Sequence, residues 1–399
     1  MNENAKISLR KKLFGIFNNS NPSISSIVSS ETQTRLNDLA KSIQKTKSNW
    51  LSFEDSRAFI FTILFTAFGK AVKAGLDPEK THYHELINEE EEADRLIKII
   101  DGIPYTLDVY FPLPYLNRDI DLDIRIGNIA ELKKSRILDI QKPNGFNFEA
   151  QGYYFRATIQ GYVGAFVHSI GFVEALGRFK TFIERGVSHG FLSIDKYPIY
   201  KEEITSVPSE TLKSWFRQPN VMDQEPINIQ LPIDISNLIK RVSFNKDRVK
   251  PSESIVTNQK HAEETIRSLA TLWNSESHLA NRLTAASEWH FDSLATEQET
   301  IKLIQVCIGL ESIFGDDNSG DGLTESLSDR CSYLIAENHQ QRKEIKNEFR
   351  ELYRLRSKIV HGVSRNLTTE QQRYLSYGEN LLKKSLNREL ALCIAPSQG

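Results

Sequence analysis

The hydrophobic pattern of this chain changes period once, and that change constrains the fold more than any single motif. Up to about residue 240, apolar and polar residues alternate in several short runs. From His261 onward the alternation is gone and only a three-to-four-residue spacing remains. Period two marks a half-buried strand and period 3.6 an amphipathic helix. The expected architecture is therefore an α+β N-terminal domain followed by an all-α C-terminal helical bundle.

The boundaries follow from composition. Residues 1–47 read as a basic N-terminal helix and a Ser/Asn-rich flexible segment (NNSNPSISSIVSSET, from Asn18). Residues 48–240 are the α+β domain. Residues 241–260, polar and carrying Pro251, are a linker. Residues 261–392 form the bundle, and 393–399 a tail. Helical patterning runs from about Thr34 to Ala74 and stops at Gly75. Tyr105, Leu107, Val109 and Phe111 form one alternating run, and Leu122, Ile124 and Ile126 a second; together they suggest an antiparallel pair. Tyr153 to Phe182 reads as mainly helical, and Ile227 to Ile235 as a strand interrupted at Pro232.

Composition excludes several classes. Among 399 residues, 39% are hydrophobic and 26% charged, which is too apolar for a disordered chain. The 50 basic and 52 acidic side chains leave a formal charge of −2, so bulk positive charge does not drive any binding to nucleic acid. Three cysteines without a C-x-x-C pair argue against a disulfide framework and for a reducing, cytoplasmic setting. No apolar run approaches the roughly 18 residues of a membrane span; the strongest, Phe59 to Phe68, reads as a buried helix. His82 and His84 stand in H-x-H spacing without further converging ligands, and no metal or other cofactor is expected. Asp121 or Asp123, followed by Glu131-Leu-Lys133, has loosely the order of a D…E-x-K metal nuclease, but the favoured reading is an exposed strand face followed by a helix start.

Helices are expected at about 261–291, 297–314, 323–337, 341–361 and 368–392, the second opening with a capping box, Thr296-x-x-Glu299. Three of their apolar stripes each contain one charged residue. Glu311 follows Ile301, Ile304 and Ile308. Arg330 follows Leu323 and Leu327. Arg356 follows Ile345, Phe349 and Leu352. A buried charge needs a partner, so Glu311 and Arg330 are expected to form a structural ion pair, leaving Arg356 facing a cleft. His361 follows Arg356 by five residues, about 140° round an uninterrupted helix. A glycine cap at Gly362 ends the helix there and frees the imidazole to turn. Arg354 satisfies a looser R-x6-H spacing. An imidazole beside a guanidinium suits phosphoryl chemistry, one moving protons and the other binding phosphate. Residues 341–390 hold 12 Lys or Arg against 6 Asp or Glu, an excess that attracts a phosphate backbone.

Leu310-Glu-Ser-Ile-Phe-Gly315, Leu327-Ser-Asp-Arg330 and Leu352-Tyr-Arg-Leu-Arg-Ser-Lys-Ile-Val-His-Gly362, in that order, resemble the ApeA-like branch of the HEPN superfamily over about residues 262–392. The resemblance implies a helical bundle that pairs as a homodimer, with an R-x4-H motif from each copy meeting in one cleft. It also implies a metal-independent RNA endonuclease of the anti-phage or abortive-infection kind, cutting an RNA substrate. Arg356 and His361 take the catalytic roles, and Ser357 and Arg354 are the supporting positions. Many active relatives carry Asn, Asp or His directly after the arginine, where this chain has Ser357. Some superfamily members are noncatalytic dimerisation or binding modules, which stands as the alternative. The region ahead of the bundle is expected to sense an unknown trigger.

Overall fold

Four helices come first, and a short polar side chain at the start of each takes the free backbone N–H groups. In α1 (Glu3–Phe17), Asn2 accepts from the Ala5 N–H at 2.8 Å. Ser29 caps α2 (Ser30–Thr46). Ser52 and Asp55 form a reciprocal capping box on α3 (Phe53–Lys73). Asn88 caps α4 (Glu89–Gly102), whose four leading glutamates sit at the positive end of the helix dipole. The helical stretch expected from Thr34 to Ala74 is thus two helices. It does end in a glycine cap: Gly75 has φ 67°, and Leu76 N–H reaches back to the Ala71 carbonyl at 3.0 Å. The computed structural model describes residues 1–17, 29–77, 79–114, 116, 123–136, 151–164, 169–196, 212–216, 227–245, 254–315, 322–363 and 365–394. Residues 18–28, Asp121, the loop over 316–321, linker residues 246–253 and tail residues 395–399 lie outside these.

The strands follow: β1 (Tyr105–Leu113), β2 (Ile124–Ile126), β3 (Ala130–Arg136), β4 (Gln151–Gly161), β5 (Leu192–Ile194), β6 (Lys213–Phe216), β7 (Ile227–Gln230) and β8 (Val242–Phe244). Six form one sheet in the order β2-β3-β4-β1-β6-β7, and β5 pairs with β8. The remaining helices are α5 (Ile170–Ser188), α6 (Ile233–Ile239), α7 (Ser254–Trp273), α8 (His278–Ala295), α9 (Glu299–Phe314), α10 (Leu323–Ile335), α11 (His339–Val360) and α12 (Thr369–Ile394). An α+β N-terminal region and an all-helical C-terminal region are therefore present. The chain divides into two units, residues 1–109, 158–176 and 215–229, and residues 110–157, 177–214 and 230–399.

Five strand and helix assignments differ from expectation. β1 and β2 are not partners. A turn at Gly127, φ 52°, folds β2 onto β3 instead, with Ile124 opposite Leu132. Residues 153–161 are strand rather than helix: Tyr153, Phe155, Ala157 and Ile159 are buried on alternate positions, and Ala157 pairs with Ala130. Pro232 ends the 227–235 run by capping α6. The expected helix 261–291 is α7 and α8, divided at Ser277, whose side chain caps α8. Thr296 does not cap α9. Its hydroxyl bonds the Asp292 carbonyl behind it, and α9 begins at Glu299.

In the second unit the Glu184 carboxylate is fully buried and accepts from four side-chain groups. Arg185 gives it Nη2 at 2.6 Å and also Nε; Ser188 Oγ lies at 2.7 Å and His290 Nδ1 at 2.8 Å. Arg185 extends the network to Asn387 on α12 at 3.0 Å. Burial alone would raise the Glu184 carboxyl, but the Arg185 charge and the His290 hydrogen bond outweigh it and hold the group well below the carboxylate range. Removing one member leaves a buried charge without its partner. Glu184→Gln or Arg185→Met should therefore cost about 3–5 kcal/mol, read from urea unfolding.

His189, one turn beyond Arg185, is pushed down from 6.5 to about 4, chiefly by burial and next by the Arg185 charge. The unfolded chain takes up this proton near 6.5 and the folded chain only near 4. Between those values the unfolded state binds more protons, so stability falls as the pH drops through that window. His189→Gln should flatten the stability profile there. An unaltered slope would assign the dependence to other groups.

Candidate active site

The site begins with how α11 ends. Gly362 has φ 72°. Its N–H bonds the Ile359 carbonyl at 2.9 Å, and the Val363 N–H bonds Lys358 at 2.8 Å. This paired closure ends the helix at Val360 and leaves His361 as the cap residue, its own N–H on Ser357 O at 3.0 Å. His361 is exposed, as are Lys358 and Arg365 on either side of it in sequence. The expected glycine cap is present, and it puts an imidazole at the negative end of a helix.

Arg356 is held by α9. Its side chain is about one third exposed, and Nη2 lies 3.4 Å from Glu311 Oε1 on α9. That is longer than the 2.7–2.9 Å usual for a charge-assisted hydrogen bond. Arg356 Nε and Glu311 Oε1 are both buried atoms without a hydrogen-bond partner. The guanidinium is thus held from one side and not saturated. Just below it, Tyr353 Oη donates to the Cys307 carbonyl at 3.2 Å, tying α11 to α9. Burial, with the nearby Cys307 and Glu311, raises the Tyr353 phenol well above its ordinary value, so it stays a neutral donor. Two glycines allow the helices their close approach. A Cβ on Gly309 would meet Leu382 at 2.7 Å, and one on Gly378 would meet Val306 at 3.0 Å and Leu352 at 3.1 Å.

Glu311 pairs with Arg356, then, and not with Arg330. Arg330 is exposed, because the buried side of α10 is Leu327, Ser328, Cys331 and Ser332 rather than the stripe through Leu323 and Leu334. Its Nη1 donates to the Phe314 carbonyl at 2.8 Å, at the end of α9. Arg282 caps the same helix end, with Nε on Ser312 O at 2.9 Å and Nη2 on Gly315 O at 2.8 Å. Two guanidiniums on the last carbonyls of a helix complement its dipole. Arg282 was not singled out from sequence; its signal would have been a lone arginine facing a Phe-Gly helix end. On α9 the buried positions are Thr300, Leu303, Val306, Cys307, Gly309, Leu310, Ile313 and Phe314, and Ile301 is 43% exposed, so Glu311 lies at the edge of the stripe.

The supporting positions lie outward. Ser357 is exposed, and Arg354 bonds Glu351 at 2.5 Å on its own helix. Among the described residues, no hydrogen bond or ion pair joins Arg356 to His361. The basic excess over 341–390 is also smaller in space than along the chain. Arg350 is paired with Glu325, and Lys346 with Asp329, two acids outside that window.

The carboxylates considered for a metal do not converge. Glu131 lies within β3, not at a helix start, and faces Arg156 at 3.1 Å and Arg125 at 3.8 Å. Asp123 is 4.0 Å from Arg125. His82 and His84 stack on each other at 5.5 Å. Among the described residues no group of three His, Cys, Asp or Glu is arranged to hold a metal ion, and no helix is long and apolar enough to cross a membrane.

Glu311→Ala should cost about 1–2 kcal/mol, well short of a fully buried pair, because both side chains keep contact with water. Arg356→Ala made in that background should add little, because paired residues share one interaction. Urea unfolding of the single and double variants checks this; full additivity would contradict the pairing. No family model matches the chain, and no match was found among curated proteins or solved structures.

Proposed function

We propose that the chain is a metal-independent RNA endonuclease of the HEPN type, a cytoplasmic anti-phage or abortive-infection effector, with Arg356 and His361 as its catalytic residues. The observation that carries this reading is the end of α11. A glycine-capped helix presents an exposed histidine, and one and a half turns earlier an arginine is anchored by Glu311 with donor capacity to spare. The motif order resembling the ApeA-like branch supplies the rest.

The chemistry follows from those two groups. His361 takes the proton of an RNA 2′-hydroxyl. The 2′-oxygen attacks the adjacent phosphorus and the bond from phosphorus to the 5′-oxygen breaks. The leaving oxygen takes a proton from the His361 of a second copy or from water. Arg356 binds the non-bridging oxygens, where charge builds. Internal attack needs no external nucleophile, since the hydroxyl is already beside the phosphate. One copy offers a single Arg356 and His361, and a homodimer through residues 262–392 completes the cleft. Exposed Lys358 and Arg365 attract the phosphate backbone, and the N-terminal α+β region senses the trigger.

A noncatalytic dimerisation or partner-binding protein is the second reading, favoured by Ser357, which cannot replace the acid, base or amide of active relatives. Kinetics separate the two. His361→Ala should lower RNA cleavage by roughly 10²–10⁴. Arg356→Lys should also lose most activity, since an ammonium cannot reproduce the guanidinium fork. DNA should resist cleavage for lack of the 2′-hydroxyl. RNA left intact by the unaltered protein under triggering conditions would favour the binding role.

A further inference from the structure

Helix α8 buries one side and turns a more polar side to a cavity. Leu283, Ala286, Ser287 and His290 are buried. Asn281, Thr284, Ala285, Glu288, Trp289 and Asp292, on the remaining stripe, line a cavity of about 290 Å³. That is close to the lower end of the volumes that hold small ligands. The two carboxylates on this stripe are in different states. Asp292 is neutralised by Lys180 on α5, whose Nζ lies 2.8 and 3.0 Å from its two oxygens. Glu288 is half-buried, and no hydrogen bond or ion pair joins it to any described residue. Burial is the largest influence on its carboxyl and raises it above the ordinary value, and the nearby Lys180 offsets only part of this. Gly177 on α5 makes the room for it, since a Cβ there would meet Glu288 Oε1 at 2.7 Å. A carboxylate drawn out of water in this way lacks the donor that its desolvation calls for.

We propose that this cavity binds a small organic cation, its ammonium or guanidinium group on Glu288 and its carbon skeleton against Trp289. The charges select a cation. Asp292 and Lys180 cancel, and the Glu288 charge is left unmatched. The wall selects an organic one. Indole is apolar and electron-rich, so beside a carboxylate it holds an alkylammonium by packing and by cation–π attraction. Asn281 and Thr284, one to two turns earlier on the same stripe, supply side-chain oxygens for further N–H groups. A divalent metal fits less well. Asp292 is already committed to Lys180, and one free carboxylate is a poor ligand set for a hard ion. Among the described residues no group of three His, Cys, Asp or Glu is arranged around such an ion. This site is independent of the ribonuclease reading, and none of its residues is part of the proposed Arg356–His361 chemistry.

Titration calorimetry of the full chain at neutral pH tests this, with butylammonium and agmatine as probes and 1-butanol as the neutral control. Both cations should bind saturably at one site per chain, and butanol should not. Glu288→Gln keeps the shape of the side chain and removes its charge. It should weaken both cations by roughly 10–100-fold, the worth of a hydrogen bond to a charged group. Trp289→Leu should weaken them several-fold, and so should Gly177→Ala, which crowds the carboxylate. Thermal melts of the ligand-free proteins separate binding from structure. An unpartnered carboxylate adds nothing to the free fold, so Glu288→Gln should melt no lower than the unaltered chain. No saturable binding of either cation, equal binding of butanol, or an affinity unaltered by Glu288→Gln would overturn the proposal. A lower melting temperature for Glu288→Gln would also overturn it, by giving the carboxylate a structural partner. So would Mg²⁺ or Ca²⁺ binding that requires Glu288 and displaces both probes.

Discussion

One buried carboxylate sets much of the second unit. Glu184 has no water around it and must take its hydrogen bonds from protein groups, or its burial would be prohibitive. It takes them from Arg185 and Ser188 on its own helix and from His290 on α8, and Arg185 in turn reaches Asn387 on α12. Such a network tolerates little displacement, because each atom moved out of range leaves a polar group unsatisfied in a dry interior. α8 and α12 are therefore fixed against α5. α12 then receives α9 and α11 at its glycine, where a side chain on Gly378 would crowd Val306 and Leu352. The candidate site lies on those last two helices.

At the site the balance is different. Glu311 and Arg356 keep part of their surface in water, and their contact is loose. A tighter pair would neutralise the guanidinium, and no pair at all would leave its long side chain free to wander. The arrangement on α9 and α11 restrains Arg356 while leaving a buried Nε without a partner. The helix end five residues later works through backbone geometry instead. Gly362 takes up a conformation that a side chain would strain, the last carbonyls find their N–H partners, and the imidazole of His361 is left at the surface.

The change of period was legible, and with it the division into an α+β region and a helical region. So was the glycine at each helix end that mattered, Gly75 and Gly362. What failed were inferences that needed a partner. The strand at 124–126 was visible, but its pairing with β3 depended on a turn at Gly127. Residues 153–161 carry a clean alternation that was obscured by the glycines and the helix beyond them. The inward faces of α9 and α10 lie beside the stripes that isoleucine and leucine spacing suggests, because Val306, Cys307, Ser328, Cys331 and Ser332 also face in. That offset made Arg330 look buried and paired it with Glu311. Periodicity reports which faces differ, but small residues at close helix crossings carry little hydrophobic signal. Glu184 and Arg185 were invisible for the complementary reason, since adjacent opposite charges read as solvent-facing.

The most direct test of the central claim is the chemistry of the cut ends. A labelled RNA is incubated with the purified chain in EDTA, and the products are resolved by their termini. Attack by the 2′-hydroxyl predicts 2′,3′-cyclic phosphate or 3′-phosphate on one fragment and 5′-hydroxyl on the other, with a single 2′-deoxy substitution abolishing the cut at that position. Products carrying 5′-phosphate, formed only when a divalent metal is supplied and surviving both His361→Ala and Arg356→Ala, would contradict the account.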